Sequence, residues 1–294
     1  RRLGFQNILC WQRGLHKELK VLFPFAKRFI AGIDINDSSV VFQDHLDSEY
    51  AVIANLVGEN TQSKETIYST CKDYSDLLNR FKRPDFSISV KLSSIGLDVS
   101  YDECATNLFK LASIALENQQ IIRLDMEDSN YTSKTIELTQ SINKELPGSI
   151  GITLQANLFR TKDDLDDLLG SGISIRLVKG AYKENGKIAF TELDAIREHF
   201  IGHSNKLILD ANTKHSIATH DEILLNEMSS KEEMMNHRFE FLYGVRRDLQ
   251  KNFKQDYEVG IYMPYGKEWL SYTLRRLKEF KNIKFVARNL IKEK

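Results

Sequence analysis

Cysteine is nearly absent from this sequence: three occur in 294 residues, Cys10, Cys71 and Cys104, odd in number and far apart. That excludes a disulfide framework and points to a reducing, cytoplasmic setting. No CxxC spacing is present, so a thiolate metal site is excluded as well, and no metal is expected. Proline is almost as scarce, with four, and no Gly/Ser/Pro-rich or low-complexity stretch divides the chain, which therefore reads as a single domain. Net charge is missing too: 41 basic side chains cancel 41 acidic ones, at a pI near 7.2. No global field exists to draw nucleic acid or an anionic membrane, and any anion site must be local. Long apolar runs are absent. The longest uncharged stretch, LPGSIGITLQANLF, holds glycines, a proline and amides, well short of the ~18 apolar residues of a membrane span. The opening RRLGFQNILCW does not read as a signal peptide.

What is present is a repeated alternation of strand and helix. The first 30 residues look helical and amphipathic, broken at Pro24, and residues 1–50 read as an N-terminal helical segment packing on the main fold. Over 51–294, eight β-rich segments recur between charged, helix-like ones: AVIANLVG, FSISVKLSS, QIIRLDMED, SIGITLQAN, ISIRLVKGA, HSIATHDE, RFEFLYG and YEVGIYMPY. Eight βα units in about 250 residues are the arithmetic of an α/β fold of the TIM-like (β/α)8 barrel type. An open doubly wound sheet is the competing architecture, but no GxGxxG follows the first strand.

Within these strands Ile88, Val90 and Leu92 alternate with Ser89 and Lys91. Likewise Ile122, Leu124 and Met126 alternate with Arg123, Asp125 and Glu127, and Ile152, Leu154 and Ala156 with Thr153, Gln155 and Asn157. Period two sends the apolar set to the outer helices and the polar set into the barrel. Polar residues at strand C-terminal ends belong to the face where such barrels carry out chemistry. A salt-bridged interior is the rival reading, and a costly one for Lys91, Asp125, Glu127, Gln155, Arg176 and Lys179 together.

Several motifs can be weighed against that frame. GAYKENGKI fails as a phosphate loop, because five residues separate Gly180 from Gly186 and Ile188 replaces the required Ser or Thr. His199 and His203 have i,i+4 spacing but no glutamate between them, and an exposed helix face is expected. His220 of ATHDE is either a strand-end ligand contact or a core histidine. Arg176, Lys179 and Tyr182 end one strand, with Gly180 allowing close backbone approach. The two cations suit a phosphate-bearing cofactor or an electron-rich ring, and Lys179 or Lys91 would equally suit a Schiff base. Near the C-terminal end, YTLRRLKE places Tyr272, Arg275, Arg276 and Glu279 within reach of one helix face.

Ten collinear segments carry a resemblance: FAKRFIAG, LVGE, VKLSS, RLDMEDSNYT, LQANLFRTKDDL, RLVKGAYKE, IATHDE, LYGVRRDLQ, IYMPYG and YTLRRLKE. Together they resemble the proline dehydrogenases, most closely the monofunctional bacterial type, over about residues 22 to 290. The resemblance implies FAD-dependent oxidation of L-proline to pyrroline-5-carboxylate in proline catabolism. Electrons would pass to a quinone, with transient contact at a membrane surface and a location in the cytoplasm or peripheral to the inner membrane.

Residue by residue, it implies catalytic roles for Lys91, Asp125 and Arg176. Arg275 and Arg276 would clamp the substrate carboxylate, Tyr262, Tyr272, Tyr182 and Leu177 would line the proline pocket, and Glu59 would pair with Arg275 as a gate. Gln155, Arg176, Lys179, Gly180, Thr219, His220 and Glu279 would contact the flavin. Tyr262 would close over C4 of the ring and disfavour 4-hydroxyproline. Two positions depart from the family pattern, Asn55 for an acid and Glu240 for a glutamine, and residues 185–214 follow it poorly. Two other readings remain: a flavin-free Schiff-base lyase or aldolase using Lys179 or Lys91, and a non-catalytic amino-acid-binding barrel.

Overall fold

The computed structural model describes residues 27–58 and 60–279, with the side chains of 275–279 outside that description. Most of the N-terminal helical stretch, Glu59, and the side chains of Arg275, Arg276 and Glu279 therefore lie outside the described residues. Each of the eight β-rich segments contains one strand. They are β1 (Ala51–Leu56), β2 (Phe86–Val90), β3 (Ile122–Leu124), β4 (Ile150–Gln155), β5 (Ser174–Val178), β6 (Ser216–Ala218), β7 (Arg238–Leu242) and β8 (Glu258–Tyr265). All pair in parallel with their neighbours in chain order, and β8 closes on β1 from Ala51↔Gly260 to Leu56↔Tyr265.

Helices separate the strands: α1 (Ile35–Asp47), α2 (Lys64–Arg80), α3 (Tyr101–Glu117), α4 (Ser129–Glu145), α5 (Thr161–Leu168), α6 (Leu193–Ile208), α7 (Glu222–Ser229), α8 (Arg247–Phe253) and α9 (Trp269–Glu279). Their starts follow from local sequence. Asp34, Ser63, Ser100, Asp128 and Asp221 precede α1, α2, α3, α4 and α7, and each side-chain oxygen accepts from a backbone N–H of the first turn. Each such cap is worth about 1 kcal/mol.

The core lies between sheet and helices. Ile88, Val90, Leu124, Ile152, Leu154, Ile175 and Ile217 are fully or almost fully buried on the outward side of the sheet. Burying each such side chain contributes roughly 1.5–3 kcal/mol. α1 adds Phe42, whose ring meets Tyr265 edge-on at a centroid distance of 5.8 Å.

The other face of every strand looks into the barrel, and register sets long charged side chains side by side there. Ser89 stands opposite Arg123, Thr153 opposite Arg176, and Ser216 opposite Arg238. Arg123 donates to the Ser174 carbonyl at 2.9 Å and to its hydroxyl at 3.1 Å. Gly151 makes room for this guanidinium, since a Cβ there would sit 3.0 Å from Arg123 Nη1 and 2.5 Å from the Ser174 carbonyl oxygen. Arg238 Nε donates to Glu258 at 2.7 Å, and Lys214 reaches the same carboxylate. Charged side chains other than those for which a salt-bridged interior is weighed above thus occupy the lower barrel, beneath the polar strand ends. Branched apolar packing does not fill this floor, because paired charges satisfy one another's hydrogen bonds there.

One other expectation changes. The His199–His203 face is not exposed: His199 stacks on Phe190 with ring centroids 3.8 Å apart, and His203 is buried. Burial pushes the His203 imidazole down to about 4. Among the described residues no helix is long and apolar enough to cross a membrane, and no group of His, Cys, Asp and Glu side chains is arranged to hold a metal ion.

Candidate functional site

A cavity of about 590 Å³ opens at the C-terminal ends of the strands. Its wall takes residues from the ends of β1 to β8 and from α9, so it belongs to the barrel mouth. Of the residues singled out from sequence, Lys91, Asp125, Gln155, Arg176, Lys179, Gly180, Tyr182, Thr219, His220, Tyr262 and Tyr272 line it. The two departures from the family pattern, Asn55 and Glu240, line it as well.

At its base β2, β5, β7 and β8, with the residue just past β3, contribute one connected polar group. Asp125, just past β3, accepts from Ser89 Oγ at 2.6 Å, from Arg176 Nη1 at 2.8 Å and from the Tyr262 hydroxyl at 2.6 Å. Arg176 also donates from Nη1 to Ser89 Oγ at 3.0 Å and from Nε to Glu240 at 2.5 Å. Its guanidinium lies over the Tyr262 ring, 5.3 Å from the centroid. Burial works against the charge of Arg176, but Glu240 and Asp125 outweigh it and raise its affinity for the proton. Burial likewise opposes ionisation of Glu240, yet Arg176, Arg123 and Arg238 together pull its carboxyl down to about 2. The Tyr262 hydroxyl is pushed far above the ordinary phenol range by burial and by Asp125, so it stays a donor.

The β5 end forms a second cluster. Lys179 Nζ pairs with Asp221 at 2.9 Å, and Arg197 of α6 donates to the same carboxylate at 2.9 Å. Both cations hold Asp221 below its usual range although burial opposes this. Gly180 has a positive φ of 113°, and a Cβ would fall 2.1 Å from Asn157 Oδ1, so only glycine fits. Gln155 donates to the Glu127 carbonyl at 3.0 Å and accepts from Ala181 N–H at 3.4 Å. Thr219 accepts from Asp221 N–H at 3.1 Å. His220 is half-buried in the cavity wall, and its Nε2 accepts from Leu242 N–H at 3.1 Å.

Leu177 is placed elsewhere. It is fully buried, in register with Leu154 and Ile217, and lies in the core behind the wall. The physical reason is parity, since Arg176 and Val178 on either side of it point inward. Sequence reasoning overlooked Arg197, which lies in the stretch left unassigned, and gave no role to Ser89. Period-two alternation already put Ser89 inward beside Asp125, but no comparable periodicity exists for a helix residue that reaches across to a loop carboxylate.

Three buried atoms of wall residues, Arg176 Nη2, Thr153 Oγ1 and Glu240 Oε1, have no hydrogen-bond partner among the described residues. Such orphaned groups are rare unless a ligand satisfies them. An unsatisfied guanidinium N–H and hydroxyl, beside aromatic rings and the Lys179 ammonium, fit a planar heteroaromatic group carrying ring acceptors and phosphate.

The sequence model of the family described as "Proline dehydrogenase" matches residues 42–288. A Bacillus subtilis (strain 168) protein named Proline dehydrogenase 2 is 30% identical over 277 residues, covering 91% of this chain and 91% of the relative. The Deinococcus radiodurans protein named Proline dehydrogenase is 30% identical over 292 residues, covering 92% and 91%. Among solved structures, proline utilization A from Bdellovibrio bacteriovorus, inactivated by N-propargylglycine, superposes with a TM-score of 0.79 at 20% identity. That match covers 92% of this chain and 34% of the other, so this chain spans about a third of the larger protein and the likeness is one of fold. A proline utilization A mutant from Bradyrhizobium japonicum gives 0.74 at 20% identity, over 90% of this chain and 32% of that one.

Proposed function

The chain belongs to the proline dehydrogenase family, and from that premise we propose that it oxidises L-proline to pyrroline-5-carboxylate with FAD as cofactor and a quinone as electron acceptor. The observation that carries the reading is the hydrogen-bonded Asp125–Arg176–Tyr262 group at the base of a cavity where one guanidinium N–H of Arg176 is unsatisfied.

Forming the C=N bond takes two electrons and two protons from proline. When bound, the flavin supplies the two-electron sink that amino-acid side chains lack. The rest is binding, orientation and charge. Lys91 and Asp125 form the polar pair at the substrate amine, and the three donors on Asp125 fix its carboxylate in place. Tyr182, Tyr262 and Tyr272 wall the ring, and Tyr262 leaves little room for a 4-hydroxyl. Arg275 and Arg276 follow Tyr272 on α9 by about one helical turn, and their guanidinium forks would clamp the carboxylate. Glu59 would gate that clamp through Arg275. Gln155, Arg176, Lys179, Gly180, Thr219, His220 and Glu279 would hold the cofactor. A quinone acceptor implies transient contact with a membrane surface.

The Schiff-base alternative loses support at Lys179, whose nitrogen is engaged by Asp221. The test is the visible absorbance of purified protein before and after L-proline, with a quinone-like dye as acceptor. A flavin band that bleaches with proline is expected, and a colourless protein silent toward proline sinks the reading. In the same assay Arg275→Gln should raise KM far more than it lowers kcat.

A further inference from the structure

Arg176 is the cation at the base of the cavity, yet it does not present a full positive charge there. Its Nε is taken by Glu240 at 2.5 Å and its Nη1 by Asp125 at 2.8 Å. One positive charge faces two negative ones. Beneath them lie Arg123 and Arg238, the latter paired with Glu258, a part-exposed carboxylate at the barrel's edge that Lys214 also reaches. Glu240 is the member of that set that faces both ways: it lines the cavity, is 3% exposed, and is held ionised by the arginines around it.

We propose that Glu240 sets the reduction potential of the flavin, acting through Arg176 as a positioning residue whose buried charge disfavours the more negative, reduced ring. The proposal deepens the functional reading above and rests on it. The physical basis is that charge in a water-poor interior is screened far less than at a surface. A ring in this cavity shares its wall with both Arg176 and Glu240, so it experiences their sum and not the arginine alone. Packing cannot account for the effect. Glutamine has nearly the same shape, and its carbonyl oxygen can still accept from Arg176 Nε, while its second polar atom becomes a donor; Glu240→Asp, which keeps both the charge and the acceptors, separates the two effects.

The experiment is the flavin midpoint potential, read spectrophotometrically against a reference dye, for the wild type, Glu240→Gln and Glu240→Asp. Glu240→Gln should shift the reduction equilibrium at least tenfold toward the reduced ring, a rise of about 30 mV for a two-electron couple. Glu240→Asp keeps the charge and should stay within threefold of wild type. If Glu240→Gln does not fold, Arg123→Gln removes a positive charge from the same buried set outside the cavity wall, and it must lower the potential. A potential unmoved or lowered in Glu240→Gln, or unmoved in Arg123→Gln, overturns the proposal while leaving proline oxidation standing. A wild-type protein without flavin overturns both.

Discussion

Leu177 and Arg176 are neighbours in sequence with opposite fates. Arg176 was legible from the chain because a charged residue at an inward position of a strand end has to find partners, and it finds Asp125, Glu240 and Ser89. The resemblance puts Leu177 in the pocket, whereas alternation alone sends it outward, where it is fully buried. The difference can be measured. Leu177→Ala removes a core side chain and should cost about 2–5 kcal/mol of stability. At a temperature where the variant remains folded, its KM for proline should stay close to wild type. A large rise in KM with little loss in denaturant midpoint would put Leu177 back in the pocket. Other partners were illegible because they are set by three-dimensional approach: nothing in the spacing of Lys179, Arg197 and Asp221 says that one carboxylate takes both cations.

At the scale of elements, all eight strands lie within the β-rich segments read from the sequence, and β2, β3 and β4 show explicit period-two alternation. The path after β5 could not be read, because residues 180–192 carry neither period. In the structure this stretch is held from outside. Glu184 accepts from the Ser129 N–H at 2.8 Å with one oxygen and from the Ser129 hydroxyl at 2.8 Å with the other, fastening the loop that bears Tyr182 to the N-terminus of α4. A carboxylate there satisfies a first-turn N–H and meets the positive end of the helix. Glu184→Ala should cost about 1–2 kcal/mol in the denaturant midpoint. It should also raise KM for proline more than it lowers kcat, since a loosened loop releases Tyr182 from the wall. Unchanged stability together with unchanged KM would remove the latch from the account.

For the whole molecule, the cancelling charges counted in the sequence turn out to be partly internal, and that makes the fold sensitive to acid. His215 is buried between β5 and β7, with Nδ1 accepting from Ile175 N–H at 3.1 Å. Burial pushes its imidazole down to about 4, more than Asp210 can counter. A histidine whose folded value lies below its unfolded one stabilises the fold fully above about 6.5 and loses that stabilisation as pH falls toward 4. Burial gives His203 the same sign and window. Glu240, depressed to about 2, adds a second stage, because its contribution is present above about 4.5 and lost as pH falls toward 2. Unfolding free energies from urea titrations should therefore decline from pH 7 to pH 4, by on the order of 3 kcal/mol for each buried histidine, and continue to fall below that. A flat profile between pH 7 and 5 would contradict the histidine assignment. The closure of β8 on β1 has a consequence for how the protein is made. Ile53 pairs with Tyr262 across nearly the whole length of the barrel sequence. The strand that completes the sheet is also the one that delivers the phenol to Asp125. During synthesis the emerging chain has neither a closed sheet nor a binding site until this last strand clears the ribosome. Catalytic competence then arrives in one late step rather than accumulating strand by strand.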